Sequence, residues 1–253
     1  MAKRFDGKTV FIFGGNSGIG LASAEAFAAE GAKLAITGRD QATLDAAAEK
    51  TGALAIRSDM ADPAASGAAL AQAADALGPL DVVFVNAGVG GFAAAPDVSE
   101  EFWDHIHDVN LRGAFFAAQK ALPHMRDGGA MVFTGSTGSV MGLPGNSAYA
   151  AAKAGLRAVV RILAAELLPR KIRVNMVSPG PTETPLINRN PGMGPEVVDQ
   201  MRKHMIASVP MHRMGEPEEI ARVALFLASE DASFITAADI FVDGGVVELA
   251  YAT

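Results

Sequence analysis

The stretch Thr9-Val-Phe-Ile-Phe13-Gly14-Gly-Asn-Ser-Gly18-Ile-Gly20 decides the fold. Its first half is a short apolar run without polar alternation, as expected of a parallel strand covered on both faces. The glycines that follow permit a tight turn and close backbone approach. Ser17–Glu30 then reads as an Ala-rich helix. The start of such a helix offers free N–H groups and the positive end of its dipole to a pyrophosphate. The spacing is Gly-x-x-x-Gly-x-Gly rather than G-x-G-x-x-G. A glycine-rich turn that only links strand to helix is the alternative for this segment alone. Its place after the first strand favours a dinucleotide cradle.

Outward from this stretch, strand and helix alternate. Strands are expected near Thr9–Phe13, Lys33–Thr37, Ala53–Arg57, Val82–Asn86, Ala130–Thr134, Arg173–Val177 and Asp239–Val242. Helices are expected over Ser17–Glu30, Gln41–Lys50, Pro63–Leu77, Ser99–Met125 and Asn146–Leu168. This alternation predicts an α/β fold with a doubly wound, seven-stranded parallel sheet flanked by helices. Its ligand should lie beyond the carboxyl ends of the strands. No Pro/Gly/Ser-rich linker or charge block divides the chain, so residues 1–253 read as a single domain.

Composition narrows the function. Half of the 253 residues are hydrophobic and the net charge is -7, which argues against general affinity for nucleic acid or an anionic membrane. With no cysteine there is no disulfide, thiolate nucleophile or sulfur-ligated metal. The apolar run Val10–Phe13 is far too short for a signal peptide or membrane span, so a soluble, cytoplasmic protein is expected. His105 and His107 stand two apart on an expected helix and face different sides, and no metal site is expected.

In Ser147-Ala-Tyr149-Ala-Ala-Ala-Lys153 the tyrosine and lysine share one helix face. A phenol beside an ammonium is a plausible acid/base pair, and the positive charge should lower the phenol's pKa. With Gly14, Gly18 and Gly20, Asn86-Ala87-Gly88, Asn110, Ser136, Pro179-Gly180 and the ending Phe241-Val-Asp-Gly-Gly245, the chain resembles the short-chain dehydrogenase/reductase family. The resemblance runs from Lys8 to Gly245 and implies a Rossmann fold. Two positions depart from the pattern: Phe13 replaces a threonine and Ala237 a glycine.

The resemblance implies a catalytic set. Tyr149 would be the general acid or base, with Lys153 lowering its pKa and binding the nicotinamide ribose. Ser136 would hold the substrate oxygen, with Thr137 a rival hydroxyl, and Asn110 would hold a water that links Lys153 to solvent. Cofactor contacts are implied for Gly14, Asn16, Ser17, Gly18, Ile19, Gly20, Arg39, Asp59, Met60, Asn86, Ala87, Gly88, Tyr149, Lys153, Pro179, Gly180, Thr182 and Thr184. At the end of the second strand the slot that is acidic in NAD-preferring members falls on Gly38, followed by Arg39. A guanidinium there can clamp a 2′-phosphate, so NADP(H) is expected and NAD(H) is possible. Asp40 competes as a ribose ligand, or else caps the next helix.

Residues 186–214 are expected to form a small lid bearing Met193, Met201, Met205, Met211 and Met214. With Val140, Met141 and Leu143 these suggest a roomy apolar pocket, although core packing would explain some of the methionines equally well. The implied activity is hydride transfer between NADP(H) and a secondary alcohol or ketone in a homotetramer. Reduction of a 3-oxoacyl carrier-protein substrate, with Arg189, Arg202 and Lys203 as possible docking cations, is one alternative. A non-catalytic nucleotide-sensing protein is the other.

Overall fold

The computed structural model describes residues 3–187 and 194–249. Seven parallel strands form one sheet: β1 (Thr9–Phe13), β2 (Lys33–Gly38), β3 (Leu54–Arg57), β4 (Leu80–Val85), β5 (Met125–Thr134), β6 (Arg173–Pro179) and β7 (Asp239–Val242). Their order in the sheet is β3-β2-β1-β4-β5-β6-β7, so the direction of winding reverses between β1 and β4. That reversal opens a crevice at the carboxyl ends of the strands. The helices are α1 (Gly18–Ala29), α2 (Gln41–Thr51), α3 (Pro63–Leu77), α4 (Glu100–His107), α5 (Ala114–Ala121), α6 (Ser147–Glu166), α7 (Pro195–Ser208) and α8 (Pro217–Ala228).

Successive strand side chains enter opposite cores, as a two-residue period requires. Phe11 and Phe13 of β1, Val83 and Val85 of β4, and Met131 and Phe133 of β5 pack with α3, α5 and α6. Val10 and Ile12, Val82 and Phe84, and Val132 pack on the other face with α1, α2 and α8. Continuous apolar runs therefore serve two cores at once. Asp40 caps α2 by accepting from the Thr43 N–H, and Asp62 caps α3 by accepting from Ala64 and Ala65, with Pro63 at the first turn.

The helix expected over Ser99–Met125 is broken. α4 passes into a π-helical turn at Asp108–Gly113, α5 follows, and a 3₁₀ turn at Leu122–His124 leads to Met125, which already belongs to β5. Two causes are visible. The Asn110 amide donates to the Ile106 carbonyl at 3.0 Å, which disturbs the ordinary helical ladder. Pro123 then has no N–H to continue it. The other expected strands and helices differ only at their ends, β5 beginning at Met125 rather than Ala130, while α7 and α8 are not among the named helices. Among the described residues no helix is long and apolar enough to cross a membrane.

Candidate active site

One cleft of ≈ 820 Å³ lies over the carboxyl ends of the strands. Its end beside β1 and β2 is shaped by glycines. Gly14 has φ +74°, and a Cβ there would come within 2.8 Å of the Ala87 backbone. At Gly20 a Cβ would stand 1.9 Å from the Gly14 carbonyl oxygen. Gly20 does not line the cleft, unlike the other residues expected to contact the cofactor; it lets α1 pack against the loop after β1. Phe13 lacks the hydroxyl of the family pattern, but Thr37 of β2 supplies one, accepting from the Gly14 N–H at 3.4 Å.

The loop is tied to the far end of the cleft by a relay of polar groups. Asn86 donates to the Gly14 carbonyl (3.2 Å) and accepts from the Thr134 hydroxyl (3.0 Å). The Thr134 carbonyl in turn accepts from Lys153 Nζ at 2.9 Å. Beside β2, Asn16 covers Gly38 and donates to the Thr43 hydroxyl at 2.8 Å. A Cβ on Gly38 would collide with the Asn16 carboxamide at 2.6 Å, so this slot admits no acidic side chain without displacing Asn16. Arg39 is exposed, and Arg57 Nε donates to its carbonyl. The Ser58 hydroxyl is buried and has no hydrogen-bond partner among the described residues. Ser58 and Thr43 line this end together with Asp59 and Met60. Neither was legible in the sequence, since each reaches the cleft only through packing of β3 and α2 beside β1.

The four expected catalytic residues converge on the other end. Burial pushes the half-buried Tyr149 phenol above its usual value, and a hydrogen bond with Ser136 opposes the shift. This corrects the expectation that Lys153 would lower it. Lys153 Nζ stands 5.8 Å from the tyrosine ring centroid, and its own pKa is depressed to about 8 by burial. Asn110 is held in place by its neighbours. Its amide donates to the Val89 and Ile106 carbonyls and its oxygen accepts from the Val89 N–H. The side chain therefore ties the loop after β4 to the π turn, and both amide hydrogens are committed to protein partners.

Around Tyr149 the wall is apolar: Phe92, Leu143, Leu186, Met201 and Met205 line it. Val140 and Met141 do not, and Val140 is exposed; Met211 is exposed and Met214 is buried elsewhere. Met193 and Arg189 lie outside the described residues. Neither remaining docking cation is free. Arg202 makes a two-pronged pair with Glu183 at 2.9 and 3.0 Å, and Lys203 pairs with Asp199 at 2.8 Å. His107 stacks on Trp103 with ring centroids 4.3 Å apart. Thr182 turns its hydroxyl back to the Gly180 carbonyl at 2.9 Å.

Comparison with known proteins places this arrangement. Residues 14–247 match the family described as enoyl-(acyl carrier protein) reductase. The chain is 36% identical to versicolorin reductase 1 of Aspergillus parasiticus, over 96% of this chain and 97% of that protein. It is 35% identical to a 3-oxoacyl-[acyl-carrier-protein] reductase of Thermotoga maritima, over 96% and 99%. A solved 3-ketoacyl-(acyl-carrier-protein) reductase from Brucella melitensis complexed with NADH superposes with TM-score 0.88 at 35% identity, covering 96% of this chain and 99% of that one. With the cradle after β1 and the cleft at the winding reversal, these matches make the chain a member of the short-chain dehydrogenase/reductase family of oxidoreductases.

Proposed function

We propose that the protein is an NADP(H)-dependent ketone reductase and secondary-alcohol dehydrogenase. The observation that carries this reading is the meeting of Ser136 and Tyr149 beside a buried Lys153 anchored on the Thr134 carbonyl. A nicotinamide dinucleotide fits the residues present: Gly14 and Gly38 leave space where a Cβ would collide, and the buried Ser58 hydroxyl awaits a partner. When bound, the nicotinamide supplies or accepts the hydride. The chain's own part is to hold the carbonyl oxygen between Ser136 and Tyr149 and to deliver the Tyr149 proton to it, leaving an alcohol. A phenol with a raised pKa stays protonated near neutral pH, which suits donation and hence reduction. Oxidation of alcohols, which needs the phenolate, should gain as pH rises.

The choice of NADP(H) rests on exposed Arg39 after an uncharged Gly38, with Arg57 alongside, while the Asp40 carboxylate accepts from Thr43. The apolar wall supports an uncharged, bulky ketone. Of the lid expected over 186–214, residues 188–193 lie outside the described residues; α7 within it serves as the cover, tied down by Arg202 on Glu183. The 3-oxoacyl carrier-protein reading is favoured by the Thermotoga and Brucella relatives and weakened by the pairing of Arg202 and Lys203. We further propose a cytoplasmic homotetramer; the half-exposed edge strand β7 and exposed Phe234 support assembly, which sedimentation would test.

The decisive experiment follows nicotinamide oxidation with NADPH and NADH over a panel of ketones. Turnover favouring NADPH is expected. It should fall by about 10²–10⁴ in Tyr149→Phe, the usual worth of a general acid, with cofactor binding kept. In Arg39→Ala the preference for NADPH should vanish. Turnover unaffected by Tyr149→Phe would end the proposal.

A further inference from the structure

Asn146 stands at the N-cap of α6, three residues before Tyr149. Asparagine at such a position ordinarily accepts from the N–H groups of the first turn. Here it makes no side-chain capping bond, and its backbone lies at φ −107° and ψ 16°. The residue is only 5% exposed, yet it lines the cleft, and no hydrogen bond to its carboxamide is found among the described residues. A methyl group placed on Gly138 would lie 3.0 Å from Asn146 Nδ2, 3.3 Å from Ser136 Oγ and 3.7 Å from Tyr149 Cδ1. The amide therefore crowds around the same spot as the two groups that meet the reacting oxygen. Its polar atoms are not among the fully enclosed, unpartnered ones, so the carboxamide keeps its access to the cleft, where an incoming polar group can pair with it.

Resting on the reductase reading, we propose that Asn146 recognises a second oxygen on the substrate, one or two carbons from the reacting carbonyl. A carboxamide can donate to a carbonyl or accept from a hydroxyl, so the substrate class is dicarbonyls, 3-oxoesters and hydroxyketones rather than simple ketones. A site built around a buried polar group discriminates strongly against analogues that leave it unpaired. The rest of the substrate lies against the apolar wall of Phe92, Leu143, Met201 and Met205.

The test compares kcat/KM for 2,3-hexanedione and ethyl 3-oxobutanoate with that for 2-hexanone, in the wild type, Asn146→Leu and Asn146→Ser. Intrinsic carbonyl reactivity cancels when the ratio is compared between proteins. The dicarbonyl preference should fall about tenfold or more in both variants, while NADPH binding shows that each is folded. An unchanged ratio overturns the inference. A second readout needs no turnover: calorimetric binding of 2,3-hexanedione to Tyr149→Phe carrying NADPH, with and without Asn146→Leu. Binding that depends on Asn146 in a protein whose wild type reduces nothing would sink the reductase reading and keep this one. Binding indifferent to Asn146 would sink this one alone.

Discussion

At the β1–β2 end of the cleft much of the wall is main chain, with Gly14 against Ala87, and behind it Gly20 stands against the Gly14 carbonyl. At the substrate end the walls are side chains, Phe92, Leu143, Leu186, Met201 and Met205, carried by loops and by α7. A main-chain wall tolerates no added atom, so its shape is fixed by residue type. A wall of flexible side chains can be rebuilt one methylene at a time without touching the scaffold. Within one cleft the molecule joins a rigid, general half to an adjustable, specific half.

The largest effect should come from breaking the rigid half. Gly20→Ala puts a methyl 1.9 Å from a carbonyl oxygen, and neither partner can retreat without moving β1 or α1. Cofactor affinity should drop by about a hundredfold or more, an energy on the scale of overpacking a core, as read by quenching of added NADPH. Retained affinity would show that the cradle is softer than its geometry.

Next in size is Lys153, the one buried charged side chain at the junction of the halves among the described residues. A lysine whose folded pKa is depressed from 10.5 to about 8 lets the unfolded chain hold the extra proton between those values. Stability should therefore rise with pH across that window, by about 3 kcal/mol at most. Lys153→Met should raise the melting temperature at pH 7 and flatten the rise, at the cost of turnover. Melting curves from pH 7 to 10.5 check both, and a slope that survives the substitution would assign it elsewhere.

A sharper probe of the adjustable half is Met201→Ala beside Met205→Ala. Each should change kcat/KM for bulky ketones by about tenfold, the usual worth of a few methylenes in an apolar pocket. NADPH affinity should stay put, since neither residue touches the cradle. If both variants weaken NADPH as much as ketone, the two halves are not separable.

The smallest effect lies outside the cleft. Ala237 has φ +61°, the left-handed region that favours glycine, which accounts for the glycine of the family pattern there. Ala237→Gly should add about 0.5 kcal/mol, the relief of strain less the entropy given back to the unfolded chain, measurable by urea unfolding.

The same contrast explains what the sequence could reveal. Gly14, Gly18, Asn86 and the Asp40 cap answer local main-chain demands, and local demands leave residue spacings. Ser58, Thr43 and Asn146 act through convergence of distant segments, which no spacing records. The break in the helix after Ser99 escaped for a similar reason: Asn110 is bonded to Val89, 21 residues away. For Tyr149, the lysine four residues on was visible and the burial was not, so the direction of its pKa shift came out reversed.

The π turn at Asp108–Gly113 also acts as a gauge of chain length. A π turn is an α-helix carrying one residue too many. Removing a single residue between Asp108 and Gly113 would close the turn into regular helix, with α4 and α5 kept nearly in phase and only the residues of the turn itself re-aimed. Asn110 would swing off Val89, and the loop after β4 would lose its tether to the catalytic end. In this stretch the count of residues is itself functional information, and a one-residue deletion would do more damage than most substitutions.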